Sequence, residues 1–303
     1  MSHFAQRLAN NEVILIDGGT GTELERRDVP MVEGAWCAAA CLTHSDVVRE
    51  VHEAYIQTGA EVIIANTYAS SRHLLAQAGL DEHFERLNTV AVELALEARD
   101  NVASKPVIVA GSISTSQMRG SQPPVEVARA NYLEQARIQA AAGVDMFILE
   151  MMRDITHTQL VLDAVNETGL PVWLGYSCKI KDKNEDQEGE VWLVRENVRL
   201  VDALQAIQGQ PIELIVIMHT QTEDIDACLD VLQANWDGPI GVYAHSGTFI
   251  HPNWQFIDTI SPDAYAEACI RWVKRGVQVI GGCCGIGPEH IELLQQRLPQ
   301  RIG

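Results

Sequence analysis

Eight short runs of apolar residues, rich in valine and isoleucine, recur along the chain at 13–17, 61–65, 106–110, 146–150, 171–177, 212–218, 239–243 and 277–282. Each is hydrophobic throughout rather than at alternate positions. A strand wetted on one face alternates, so continuous runs of strand length predict strands buried on both faces, as in a parallel sheet. The stretches between them read as helices. Val47, Val48, Val51, Ala54 and Tyr55 share one helical face, with Thr43 and Asp46 spaced as a capping box and Gly59 as terminator. A helix over 128–142 ends at Gly143, another over 264–275 ends at Gly276, and Pro288 sits where a first-turn proline belongs. Eightfold alternation in one hydrophobic texture predicts a single (β/α)8 TIM barrel spanning 1–303 as one domain. An open doubly wound sheet is the alternative.

Composition agrees with this reading. A chain of 303 residues is long for one average domain but ordinary for a barrel, and 47% hydrophobic residues can fill a large core. The formal net charge of -19 repels phosphate backbones and anionic lipid, so neither nucleic acid nor membrane is expected as a partner. The first residues lack the pattern of a secretory signal, and the apolar runs are too short to span a bilayer. These features predict a cytoplasmic protein whose 7 cysteines are reduced thiols or metal ligands rather than a disulfide framework. The most polar stretch, 179–190, is expected to be a solvated loop after the fifth strand, with a substrate lid as the alternative.

In such a barrel the strand ends at the C-terminal face carry the chemistry. The polar residues there are Asp17, Asn66 with Thr67, Ser112, Glu150, Ser177 with Cys178, His219, His245, and Cys283 with Cys284. A lone buried cysteine is usually a packed thiol. Adjacent Cys283 and Cys284 inside Gly281-Gly282-Cys283-Cys284-Gly285 favour a metal instead, because neighbouring cysteines bridge each other poorly and the glycines admit a close approach to the backbone. Zinc held by thiolates and imidazole with one open position is the usual catalytic arrangement, and His219 is the best third ligand. His245 is a ligand, an acid/base group or a residue behind the ligands. The turn after the first run, Asp17-Gly18-Gly19-Thr20-Gly21, lacks the lysine and spacing of a phosphate loop. Its backbone N–H groups suit a carboxylate at a helix start, while Asp17 and Glu150 offer negative charge to an ammonium group. The alternatives are a turn-forming Asp17 and a rim ion pair at Glu150. Taken together, the rim describes a pocket for an amino acid.

The ordered set of motifs closely resembles the homocysteine S-methyltransferase family across nearly the whole chain. It comprises Asp17 to Leu24, Trp36, Ala65-Asn66-Thr67-Tyr68, Ala110-Gly111-Ser112-Ile113, Gly143 with Asp145 and Glu150, and Gly281 to Gly285. The resemblance implies a barrel with zinc held by three cysteines. It also implies that Asp17 and Glu150 bind the homocysteine amino group and that Gly18 to Gly21 bind its carboxylate. Two positions depart from the family pattern: Met218-His219-Thr220 stands where its first zinc cysteine belongs, and His245 stands where it has asparagine. The favoured reading is that His219 substitutes as ligand, giving a site one charge less anionic and a stronger Lewis acid. The other is a drifted site with altered chemistry. The implied reaction is methyl transfer to the thiol of homocysteine, forming methionine, from a small donor, with S-methylmethionine or S-adenosylmethionine ahead of betaine. Asn66 or Ser177 is expected to line the donor pocket. Rival readings are another thiol or selenol acceptor, a metal-dependent hydrolase or lyase using His219 and His245, and a sensor without turnover.

Overall fold

The computed structural model describes residues 3–116, 123–181, 189–195, 197–250 and 253–302. Eight parallel strands form the barrel wall: β1 (Ile14–Leu15), β2 (Val62–Ile64), β3 (Ile108–Ser114), β4 (Met146–Met152), β5 (Val172–Tyr176), β6 (Leu214–Gln221), β7 (Ile240–His245) and β8 (Val279–Ile280). The sheet runs β1-β8-β7-β6-β5-β4-β3-β2. A parallel bridge between Ile16 and Val62, with Asp17 N donating to the Val62 carbonyl at 3.0 Å, joins the two outer strands and closes the ring. The fold is the (β/α)8 TIM barrel, and each of the eight apolar runs overlaps one of its strands.

Two cores explain why those runs do not alternate. Leu15, Leu174, Ile215, Ile217, Val242 and Ile280 face the helices. Ile14, Ile16, Trp173, Val216, Met218, Tyr243 and Val279 fill the barrel interior. Both sides of each strand therefore meet hydrocarbon. The amino-terminal helix His3–Ala9 seals the bottom, where Phe4 packs edge-on to Trp173 with ring centroids 6.0 Å apart.

The helix terminators act as expected. Gly143 ends the helix Val125–Ala142 in the left-handed conformation at φ 105, and Gly59 and Gly276 follow their helices at φ 111 and 94. Pro288 opens the helix Pro288–Arg297. The capping box does not form. His44 is the N-cap of the helix Ser45–Gln57, with no side-chain cap bond, because Thr43 closes a preceding helical turn and donates its hydroxyl back to the Ala39 carbonyl at 3.1 Å. After β5, Cys178–Ile180 pairs antiparallel with Val191–Leu193, so the first two residues of the polar stretch are strand, while Gly189 and Glu190 at its end are not. Its centre, 182–188, lies outside the described residues. Among the described residues no helix is long and apolar enough to cross a membrane.

Candidate active site

Strand parity decides what reaches the mouth of the barrel. On β4, Met146 and Ile148 point inward, so Glu150 does too. On β8, Val279 points inward, and the same parity brings Cys283 to the interior cluster. His219 is different. On β6, Val216 and Met218 face inward, so an unbroken strand would turn His219 toward the helices. The pairing of β6 with β7 slips between Met218 and Gln221, and His219 takes φ 41. The bulge re-aims its imidazole into the barrel. A second slip, between Leu149 and Met152, accompanies Met151 at φ 53 and brings that side chain inside.

Among the described residues, six that are not glycine have positive φ. Three are Asn11, Asp28 and Asp258, types that tolerate this conformation. The other three, Trp36, Met151 and His219, all line the same cavity. Left-handed backbone at bulky residues is unfavourable and persists only where the surroundings enforce it. Its concentration here marks the mouth as the site.

The cavity, about 320 Å³, is walled by Gly18 to Gly21, Trp36, Cys37, Asn66, Tyr68, Glu150, Arg153, His219, Tyr243, Trp254, Cys283 and Cys284, among others. His219 Nδ1 lies 3.4 Å from Cys283 Sγ, and the two sulfurs are 4.0 Å apart. All three donor atoms fall within 4.8 Å of one another. Tetrahedral zinc, with bonds of about 2.3 Å to sulfur and 2.0 Å to nitrogen, needs donors roughly 3.6–3.8 Å apart. The soft, borderline donor set and its spacing therefore fit zinc. The Cys284 thiol, and after it the His219 ring, holds Cys283 well below the usual thiol range, while the Cys283 sulfur and burial push Cys284 up.

Glu150 is buried at 7% exposure. It accepts from Ser112 Oγ at 2.5 Å and Tyr243 Oη at 3.2 Å. Burial raises its pKa to about 7, only partly offset by the Ser112 bond. Asn66 lines the cavity but is held from behind, donating to the Cys37 carbonyl at 3.0 Å and accepting from the Cys37 thiol at 3.0 Å.

Several sequence candidates sit behind the wall. Asp17 does not line the cavity; its Oδ2 accepts from Ile64 N at 2.7 Å, and its Oδ1 has no partner among the described residues. Burial drives its pKa well up. Ser177 is off the wall and donates to the His219 carbonyl at 2.7 Å, securing the bulge. His245 stacks behind His219, ring centroids 4.4 Å apart, with burial lowering its pKa to about 3. Cys178 is buried outside the cavity. The glycines of the last strand serve protein packing rather than ligand access: a Cβ on Gly281 would meet Ile16 at 2.2 Å, and one on Gly285, at φ 80, would meet the Ser246 carbonyl at 2.0 Å.

Four wall residues escape sequence reasoning. Tyr243 and Arg153 follow from strand parity and the β4 bulge, which a sequence does not display. Tyr68 stood within a quoted motif without a role. Trp254 lies on the hairpin formed by Thr248–Ile250 and Asn253–Gln255, with its ring 5.9 Å from His219 and 5.5 Å from His245. Glu25 joins it to the facing loop, accepting from Trp36 Nε1 and Trp254 N, each at 2.8 Å.

A closed parallel barrel whose C-terminal mouth gathers two thiols, an imidazole and a buried carboxylate is a TIM-barrel enzyme built to handle a small molecule. The chain matches the homocysteine S-methyltransferase family over residues 14–298 and belongs to it. It is 26% identical to homocysteine S-methyltransferase YbgG of Bacillus subtilis, covering 92% of each chain, and 26% identical to the Escherichia coli homocysteine S-methyltransferase, covering 96% of each. It is 24% identical to the selenocysteine methyltransferase of Astragalus bisulcatus over 91% of this chain and 90% of that one. The metallated form of Escherichia coli MmuM shares the fold with a TM-score of 0.78 at 24% identity, covering 96% of this chain and 98% of that one. The protein is thus a methyltransferase of a family named for homocysteine.

Proposed function

We propose that the enzyme moves a methyl group from a small sulfonium donor to the thiol of homocysteine, at a zinc ion held by His219, Cys283 and Cys284. The observation that carries this is the convergence of those three donors within 4.8 Å on the cavity wall. A free thiol is mostly protonated at neutral pH; zinc, when bound, would keep it deprotonated. Glu150 is assigned the substrate ammonium, and Asp17, behind the wall, is assigned to holding the Ile64 backbone. The Thr20–Gly21 start of the helix Thr20–Arg26 is assigned the carboxylate, because both residues line the cavity and their N–H groups lie in the first helical turn. The substrate sulfur takes the donor methyl, and the donor carbon–sulfur bond breaks with its electron pair left on a neutral thioether. Trp36, Tyr68 and Trp254 keep water from the reacting sulfur. Asn66 is assigned to the donor side of the wall, and Ser177 to holding the His219 backbone.

A selenol acceptor is a second reading, favoured by the selenocysteine methyltransferase among the relatives. The hydrolase reading loses support because His245 lies behind His219 rather than on the cavity wall. Metal content and methyl transfer measured together test the proposal. About one zinc per chain, with methionine formed from homocysteine and S-methylmethionine, is expected. Methyl transfer that survives complete zinc removal would overturn it.

A further inference from the structure

Arg153 follows β4 and is buried at 6% exposure, yet it lines the cavity. Among the described residues it forms no ion pair, and its only hydrogen-bond acceptor is the Thr115 carbonyl, reached through Nε and Nη2. That leaves Nη1 without a protein acceptor among those residues. The chain holds 41 acidic side chains against 22 basic ones, so acidic partners are plentiful elsewhere. Asp154, next in the chain, attracts it electrostatically but makes no ion pair with it and is bonded to His157 instead. A buried guanidinium without an ion-pair partner is costly and is retained where something else supplies the charge. Its neighbours on the wall, Tyr68 and Ser116, are polar at their tips rather than acidic. Tyr68 also packs its ring edge-on to Trp36 at 6.2 Å, so the subsite combines a cation, a phenol and an aromatic face.

The barrel order sets this subsite well round the ring from the first turn. The Thr20–Gly21 helix start follows β1 and Arg153 follows β4, with β2 and β3 between them. The cavity therefore presents two receptors for an anionic group, on different walls, with the thiol–imidazole cluster carried by β6 and β8. Resting on the reading above, in which homocysteine occupies the first turn, the geometry points to Arg153 as the anchor for a carboxylate on the methyl donor. The donor class is a sulfonium compound that carries its own carboxylate; guanidinium and carboxylate match as a planar, bidentate pair.

The test compares S-methylmethionine with its decarboxylated counterpart, (3-aminopropyl)dimethylsulfonium, on wild type, Arg153→Met and Arg153→Lys. Wild type is expected to favour the carboxylated donor by about 10- to 100-fold in kcat/KM, the range of a hydrogen bond to a charged group. Arg153→Met should erase that preference through donor KM and leave the homocysteine KM unchanged, with Arg153→Lys between the two. Because the substitution removes a buried charge that has no ion-pair partner among the described residues, Arg153→Met should melt at or above the wild-type temperature. Equal use of both donors by wild type would overturn the assignment, as would a rise in homocysteine KM instead, or a fall in melting temperature with donor preference intact. If wild type methylates homocysteine with neither donor, calorimetric binding of the two sulfonium compounds separates the failures. Carboxylate-dependent affinity lost in Arg153→Met sustains the subsite while the reaction falls; no such affinity removes both.

Discussion

The hydroxyl of Tyr243 donates to Oε1 of Glu150 at 3.2 Å while Ser112 holds the other carboxylate oxygen, so this carboxylate on the wall of the thiol-bearing cavity is oriented from two strands. Burial raises the Glu150 pKa from 4.5 to about 7 in the free protein. An ammonium ligand needs the ionised form. The kcat/KM for homocysteine should therefore fall as pH drops below about 7, and Glu150→Gln should lower it by roughly 10- to 100-fold while flattening that limb. A pH profile of both proteins checks this.

The same residue bears on stability with a definite sign. A carboxyl whose folded pKa is raised stabilises fully below its unfolded value of 4.5, and that contribution is lost as pH climbs through about 7. The ligand-free protein should lose up to roughly 3 kcal/mol from this source, and Glu150→Gln should remove the dependence. Denaturant titrations at pH 5 and pH 8 measure it.

His52 works in the opposite direction. It is fully buried in the helix Ser45–Gln57, neither ring nitrogen has a partner among the described residues, and burial lowers its pKa from 6.5 to about 4. A depressed pKa gives stability present above 6.5 and lost as pH falls through 4. His52→Leu should stabilise the protein by about 1–3 kcal/mol, more at pH 5 than at pH 8. Thermal melts at the two pH values decide it; a variant less stable at both would show an unseen partner for the ring.

His219→Ala and Cys283→Ser should each bind less zinc, whereas His219→Cys should keep about one ion per chain. Elemental analysis after gel filtration reads the difference. Equal zinc in wild type and both loss variants would place the metal elsewhere.

Ser177→Ala removes the donor that secures the His219 carbonyl in its left-handed backbone. It should weaken zinc binding by about 10-fold without touching a ligand. Competition with a chromophoric chelator measures this, and unchanged affinity would show that the bulge holds itself.

How much of this was readable in advance follows from what each feature depends on. Strands and helix ends rest on local composition, so Gly143, Gly276 and Pro288 carried their message in the sequence. Cys283 and Glu150 were findable because they follow apolar runs in the parity of their inward-facing residues, and Cys284 because it adjoins Cys283 in the turn after the last run. His219 was found for its type and position, but its inward aim depends on a slipped register, and a second slip, near Met151, hid Arg153. Ser177 and Asp17 were chosen for standing at strand ends, yet a hydrogen bond to the neighbouring strand claims each of them. The Thr43 cap failed because a short helical turn precedes it and offers its hydroxyl a closer carbonyl.

Phe4 and the amino-terminal helix carry the packing of the barrel interior down past Trp173. An interior filled in this way is a core and not a channel, so the cavity at the C-terminal mouth is built on solid hydrocarbon, and the donors at its wall are aimed by strands that cannot shift without repacking that core.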